Sequence, residues 1–126
     1  MAKGEILIVD DNQLNLKLIR VLLVGEGYSV KTAGDAEEAI AMLETALPDL
    51  ILMDVQLPGM DGLELTRRLK SDPERRKIVI LALTAYAMKG DEEKARAAGA
   101  DGYLTKPVDT RTLPEVIAGY LERRGG

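Results

Sequence analysis

Short apolar runs alternate along this chain with longer stretches whose apolar residues recur every three or four positions. Ile6-Leu7-Ile8-Val9, Leu50-Ile51-Leu52-Met53 and the run from Ile78 to Leu83 are almost unbroken, the pattern of strands buried on both faces. Ser29 to Ala33 is less apolar and predicts a strand near a sheet edge, and Gly102 to Thr105 predicts a short final strand. Between them the helical period predicts helices from about Gln13 to Gly25 with Asn12 as N-cap, and from Asp35 to about Ala46. In the latter, Asp35 and Glu38 have the spacing of a capping box, with Asp in place of Ser or Thr. A third helix follows the turn-rich loop through Pro58, Gly59 and Gly62 and is stopped by Pro73. A fourth runs from Asp91 to Ala98, with Gly99 suited to the position just past its end. The last helix ends near Arg123. Pro114 would remove a backbone hydrogen bond if that helix began at Asp109, so a later start is predicted, with Thr112 as the effective cap.

Five alternating strand–helix units predict an α/β fold. It should be a doubly wound five-stranded parallel sheet in the flavodoxin-like order 2-1-3-4-5, written (βα)5. The length of 126 residues suits one domain over 1–126, with a core from about 5 to 122. The first helix carries more apolar residues than one packed face needs: Leu14, Leu16, Leu18, Ile19, Val21, Leu22, Leu23 and Val24. Two readings stand side by side, extra packing against the last helix or an exposed docking face for a partner helix.

The polar residues that end the apolar runs carry the chemistry. Asp10 and Asp11 follow the first, Asp54 the third, Thr84 the fourth and Lys106-Pro107 the fifth. In an open parallel sheet, ligands bind beyond the carboxyl ends of the strands. Taken singly, each residue has an ordinary explanation: a turn acid before a helix, a capping acid, a strand threonine, a surface lysine before a loop proline. Taken together they fall at one edge of one predicted sheet. Three converging carboxylates repel one another, and a divalent cation removes that conflict. The Lys106–Pro107 bond admits a cis form.

Composition narrows the chemistry. The chain has no Cys and no His, so thiolate sites, imidazole ligands and His acid–base catalysis are excluded. Any metal is held by oxygen, which favours Mg²⁺, with Mn²⁺ as the substitute. The net charge of −4 and the pI near 4.9 lack the electrostatic footprint for nucleic acid. No signal-peptide core and no run long enough to span a membrane are present, so the expected location is the cytoplasm. Without Phe or Trp and with four Tyr, the core must be aliphatic.

The strings Ile-Val-Asp10-Asp11-Asn12, Leu-Met-Asp54-Val-Gln-Leu-Pro58-Gly-Met60-Asp61-Gly62, Ala-Leu-Thr84-Ala85-Tyr86 and Gly-Tyr103-Leu-Thr-Lys106-Pro107 together resemble the receiver domain of two-component response regulators, over about Glu5 to Glu122. Asp11-Asn12-Gln13-Leu14-Asn15 and the stretch from Thr84 to Glu92 look most like DivK-type single-domain receivers and the receivers of hybrid histidine kinases. The resemblance implies that Asp54 is the phosphoacceptor, attacking a phosphoryl group carried on a partner's histidine. It implies Mg²⁺ ligation by Asp11 and Asp54, by Asp10 through water and by the backbone carbonyl of Gln56. It implies that Thr84, the Ala85 backbone N–H and Lys106 bind the phosphoryl oxygens. Thr84 and Tyr103 become the switch, and Gln56 and Tyr86 flank the site where dephosphorylation is tuned.

The resemblance further implies two partners. A histidine kinase or histidine phosphotransfer protein would dock near the first helix, and a downstream protein would bind the face of the fourth helix, fifth strand and fifth helix. No nucleic acid or membrane is contacted, and the domain is a monomer or weak dimer. It is a signalling switch rather than a turnover enzyme. Three other classes fit less well. An aspartyl-phosphate phosphatase of the haloacid dehalogenase type needs a second Asp at the place of Gln56. A degenerate receiver would have lost an acid or the lysine. A flavodoxin-like cofactor binder would show a Ser/Thr/Gly phosphate loop after the first strand.

Overall fold

Five of the apolar runs become parallel strands in the computed structural model, which describes residues 3–57, 59–84 and 90–125. In chain order the elements are β1 Glu5–Val9, α1 Gln13–Gly25, β2 Ser29–Ala33, α2 Ala36–Thr45, β3 Leu50–Asp54, α3 Gly62–Ser71, β4 Val79–Thr84, α4 Asp91–Ala97, β5 Gly102–Thr105 and α5 Leu113–Gly125. The sheet order is β2-β1-β3-β4-β5, the doubly wound arrangement expected from the sequence, with β2 at an edge.

Side chains alternate across the sheet because the strand period is two. Ile6, Ile8, Leu50, Leu52, Leu81 and Leu83 point to the side covered by α1 (Leu16, Ile19, Leu23) and α5 (Leu113, Ile117). Leu7, Val9, Ile51, Met53 and Ile80 point to the other, covered by α2 (Ala36, Ala39, Leu43) and α3 (Leu65, Leu69). Each fully buried aliphatic side chain of this kind contributes about 1.5–3 kcal/mol of burial free energy. With both faces covered, neither alternation nor polarity appears in the central strands, which is why they read as continuous apolar runs.

Helix ends follow local chemistry. Asn12 accepts from the Asn15 N–H at 3.0 Å, Asp35 from Glu38 at 2.8 Å and Asp61 from Glu64 at 2.9 Å, each a cap of about 0.5–2 kcal/mol. Glu38 completes its box one residue early, accepting from the Gly34 N–H at 2.6 Å. Gly99, at φ 103°, ends α4 in the left-handed conformation that L side chains resist. α5 starts at Leu113, so Pro114 lies in the first turn, where a missing N–H costs nothing. Thr112 precedes it, and its carbonyl accepts from Val116 at 3.0 Å.

The surplus of apolar residues on α1 is resolved toward exposure. Leu16, Ile19 and Leu23 are buried, and Leu22 packs beside them. Leu14 (75% exposed), Leu18 (53%), Val21 (61%) and Val24 (49%) face solvent as a stripe along the helix. Among the described residues no helix is long and apolar enough to cross a membrane.

Candidate functional site

The carboxyl ends of β1, β3, β4 and β5 gather the polar residues that terminate the apolar runs. Parallel register does this. Val9 pairs with Met53, Asp54 with Leu83 and Thr84 with Thr105, so the residues just beyond lie at one level. Asp10, Asp11 and Asp54 converge there, with one carboxylate oxygen of each within 4.8 Å of the others. Asp10 and Asp54 are buried, and Asp11 is exposed.

Local hydrogen bonds hold the two buried acids. Asp10 Oδ1 accepts from the Asn12 N–H at 2.9 Å, and Asp54 Oδ1 accepts from the Gln56 N–H at 3.0 Å. Their other oxygens face Lys106, whose Nζ lies 2.9 Å from Asp10 Oδ2 and 2.8 Å from Asp54 Oδ2. The contact to Asp54 is a well-formed hydrogen bond. The contact to Asp10 is an ion pair, and among the described residues Asp10 Oδ2 is buried without a hydrogen bond.

Lys106 reaches this place because its N–H donates to the Thr84 carbonyl at 2.7 Å, extending the β4–β5 pairing by one residue. The Lys106–Pro107 peptide is cis, the form the sequence allowed.

Electrostatics at the site are in tension. Burial pushes the Asp54 carboxyl above its ordinary value, and the neighbouring Asp10 charge adds to it; the hydrogen bonds from Lys106 and Gln56 only partly offset the rise. Burial pulls Lys106 down, but its hydrogen bond to Asp54 and its ion pair with Asp10 outweigh that and leave it above the ordinary lysine value. Among the described residues, three clustered carboxylates have one lysine paired with two of them, leaving an excess of negative charge, and Asp10 Oδ2 makes no hydrogen bond. This donor set is all oxygen and suits a hard divalent cation, which ordinarily takes one or two carboxylates and keeps several waters.

Thr84 is buried at the end of β4. Tyr103 is half-buried and pairs across the sheet with Ala82, two residues before Thr84. Strand alternation therefore puts Thr84 and Tyr103 on the same face, the one where Ala82 packs with Ala95 of α4. Ala85, Tyr86 and Pro58 lie outside the described residues, so the expected Ala85 N–H donor and the flanking Tyr86 are not placed. Gln56 is exposed just after β3. The sequence reading missed how one lysine spans both buried acids. It also missed how closely Gly62 sits against Asp54, because a glycine in a turn-rich loop carries no signal of what it touches.

Comparison with known proteins agrees with this geometry. A family model described as response regulator receiver domain matches residues 6–118. The polar-differentiation response regulator DivK of Brucella anthropi is 46% identical over 116 residues, covering 92% of this chain and 94% of that protein. A CheY-like response regulator receiver domain protein from Methanospirillum hungatei superposes with a TM-score of 0.89 at 36% identity, covering 96% of this chain and 95% of the other. The signal receiver domain of a signal transduction histidine kinase from Syntrophus aciditrophicus gives 0.82 at 35% identity, covering 96% and 89%.

Proposed function

The chain belongs to the response regulator receiver domain family of two-component signalling, and on that premise we propose that Asp54 is the phosphoacceptor of a phosphorelay. The observation that carries this is a buried carboxylate at the end of the central strand, 2.8 Å from Lys106 and clustered with Asp10 and Asp11. In this reading an Asp54 oxygen attacks the phosphorus of a partner's phosphohistidine. The new P–O bond replaces the P–N bond, and the electron pair returns to the imidazole nitrogen, which takes a proton from solvent.

Asp11, Asp54 and the Gln56 carbonyl would hold Mg²⁺, or Mn²⁺, with Asp10 joined through water. When bound, the ion neutralises charge on the phosphoryl oxygens. Lys106, already drawn to Asp54, carries the remaining charge stabilisation. Thr84 and the Ala85 N–H bind the phosphoryl group from the β4 side. The protein assists its own phosphorylation and is a switch, not a turnover enzyme on a separate substrate.

The output is a population shift between two conformations. Thr84 moves toward the phosphoryl group and Tyr103 follows it inward. The shared face of Thr84 and Tyr103 on β4 and β5 supports this coupling. The α4-β5-α5 face then meets a downstream protein. The exposed stripe of Leu14, Leu18 and Val21 on α1 supports docking of the histidine kinase or phosphotransfer protein there. The chain acts as one receiver domain over 1–126.

Intact mass after incubation with acetyl phosphate tests the reading. One phosphoryl adduct is expected with Mg²⁺, none without it and none in Asp54→Asn. An unlabelled wild type, with both acetyl phosphate and a phosphohistidine donor protein, would instead make this a receiver-fold binding module.

A further inference from the structure

We infer that Gly62 is a positioning residue for the metal-binding carboxylate, setting the site's geometry by letting the first turn of α3 close directly on the backbone of Asp54. The inference rests on the metal-binding reading of the acid cluster given above.

A Cβ built on Gly62 would overlap the Asp54 carbonyl oxygen and lie 2.9 Å from its carbonyl carbon and 3.0 Å from Val55 Cα. All three are backbone atoms, so no side chain can swing aside. The approach is fixed from both directions. On the helix side, Gly62 N–H donates to the Val55 carbonyl at 3.2 Å, and the Thr66 hydroxyl donates to the Gly62 carbonyl at 2.7 Å. Leu65 and Leu69 bury the same helix in the core. On the strand side, Asp54 is paired with Leu83 and the Val55 N–H donates to the Leu83 carbonyl at 2.9 Å.

An added methyl group must therefore move either the end of β3 or the start of α3. The first displaces the Asp54 carboxylate from Asp10 and Lys106. The second opens the loop that carries Gln56, whose N–H holds Asp54 Oδ1 at 3.0 Å and whose carbonyl belongs to the proposed ligand set. Both routes separate donors that now converge. Residues that orient metal ligands without touching the ion typically control about 10–100-fold in affinity.

The test is a titration with Mg²⁺ alone, followed by amide chemical shifts, on the wild type, Gly62→Ala and Gly119→Ala. Gly119 lies in α5 with nothing near its Cβ position, so its variant controls for the glycine-to-alanine change itself. The expected result is a dissociation constant raised about tenfold or more in Gly62→Ala and unchanged in Gly119→Ala. If Gly62→Ala is unfolded in buffer, all three proteins are titrated in trimethylamine N-oxide, which favours the compact state. An unchanged affinity together with a lowered Tm would overturn the inference and leave Gly62 as packing only. A wild type that does not bind Mg²⁺ would overturn it together with the metal-binding reading, which separates the two failures.

Discussion

Carboxylates sit at both ends of this sheet and are treated in opposite ways. At the amino ends, Asp49 precedes β3 and accepts from the Glu5 N–H at 2.8 Å. Asp101 precedes β5, where its Oδ2 accepts from the Ile80 N–H and from Lys70 Nζ, both at 2.8 Å. These acids complete the sheet by occupying donors. At the carboxyl ends, Asp10 and Asp54 are buried with one lysine between them, and one oxygen is left without a hydrogen bond. Asp101 and Asp54 each hold a backbone N–H and a lysine; what separates them is that the Asp101 side chain is 38% exposed while Asp54 is buried in a cluster with Asp10 and Asp11.

The sharpest way to test the reactive end is to remove its fixed cation. Lys106→Ala should slow labelling by acetyl phosphate about 100-fold or more, since a charge-stabilising donor is typically worth that much. The rate of adduct formation by intact mass reads it, and a rate near wild type would mean the lysine only balances the charge of Asp10 and Asp54.

Mg²⁺ should stabilise the fold through the frustrated end alone. At 100 times its dissociation constant the gain is about 2.7 kcal/mol, seen as a rise in Tm that Asp54→Asn and Asp11→Ala diminish. The amino end predicts the reverse. Asp101→Ala should cost about 1 kcal/mol of stability in denaturant unfolding while leaving Mg²⁺ affinity unchanged. A loss of affinity there would erase the distinction between the two ends.

The distinction should also show in pH. The Asp54 carboxyl is raised above its ordinary value of 3.8, so within the interval between that value and its higher folded one the native chain keeps a proton that the unfolded chain has released. Stability of the metal-free protein should fall as pH rises through this window. Asp54→Asn should flatten that slope. Lys106 acts at the other extreme. Its contribution is complete below the ordinary 10.5 and is lost as pH climbs through its raised folded value. Thermal melts across pH without Mg²⁺ read both.

The smallest expected stability change concerns α1. Leu18→Ser replaces an exposed side chain and should shift stability by no more than about 0.5 kcal/mol. Labelling by acetyl phosphate should stay as in the wild type, while transfer from a phosphohistidine donor protein slows. Equal rates from both donors would place partner docking elsewhere.

Local sequence determined a great deal here. Unbroken apolar runs and the 3.6 period located the strands and the helix ends they predicted to within a residue or two, because both-face burial forces unbroken apolar runs and caps need particular side chains. Asn12, Asp35 and Asp61 fixed helix starts, and Pro114 delayed the last. The acids, Thr84 and Lys106 were legible as a site because a parallel sheet sends all its carboxyl ends to one edge. Only the tertiary structure decided what those groups do to one another. Whether Lys106 meets one acid or two, whether the stripe on α1 packs or stays exposed, and how tightly Gly62 closes on Asp54 depend on distances between segments far apart in the chain. Those distances are set by packing of the whole sheet and its helices, and no single segment encodes them.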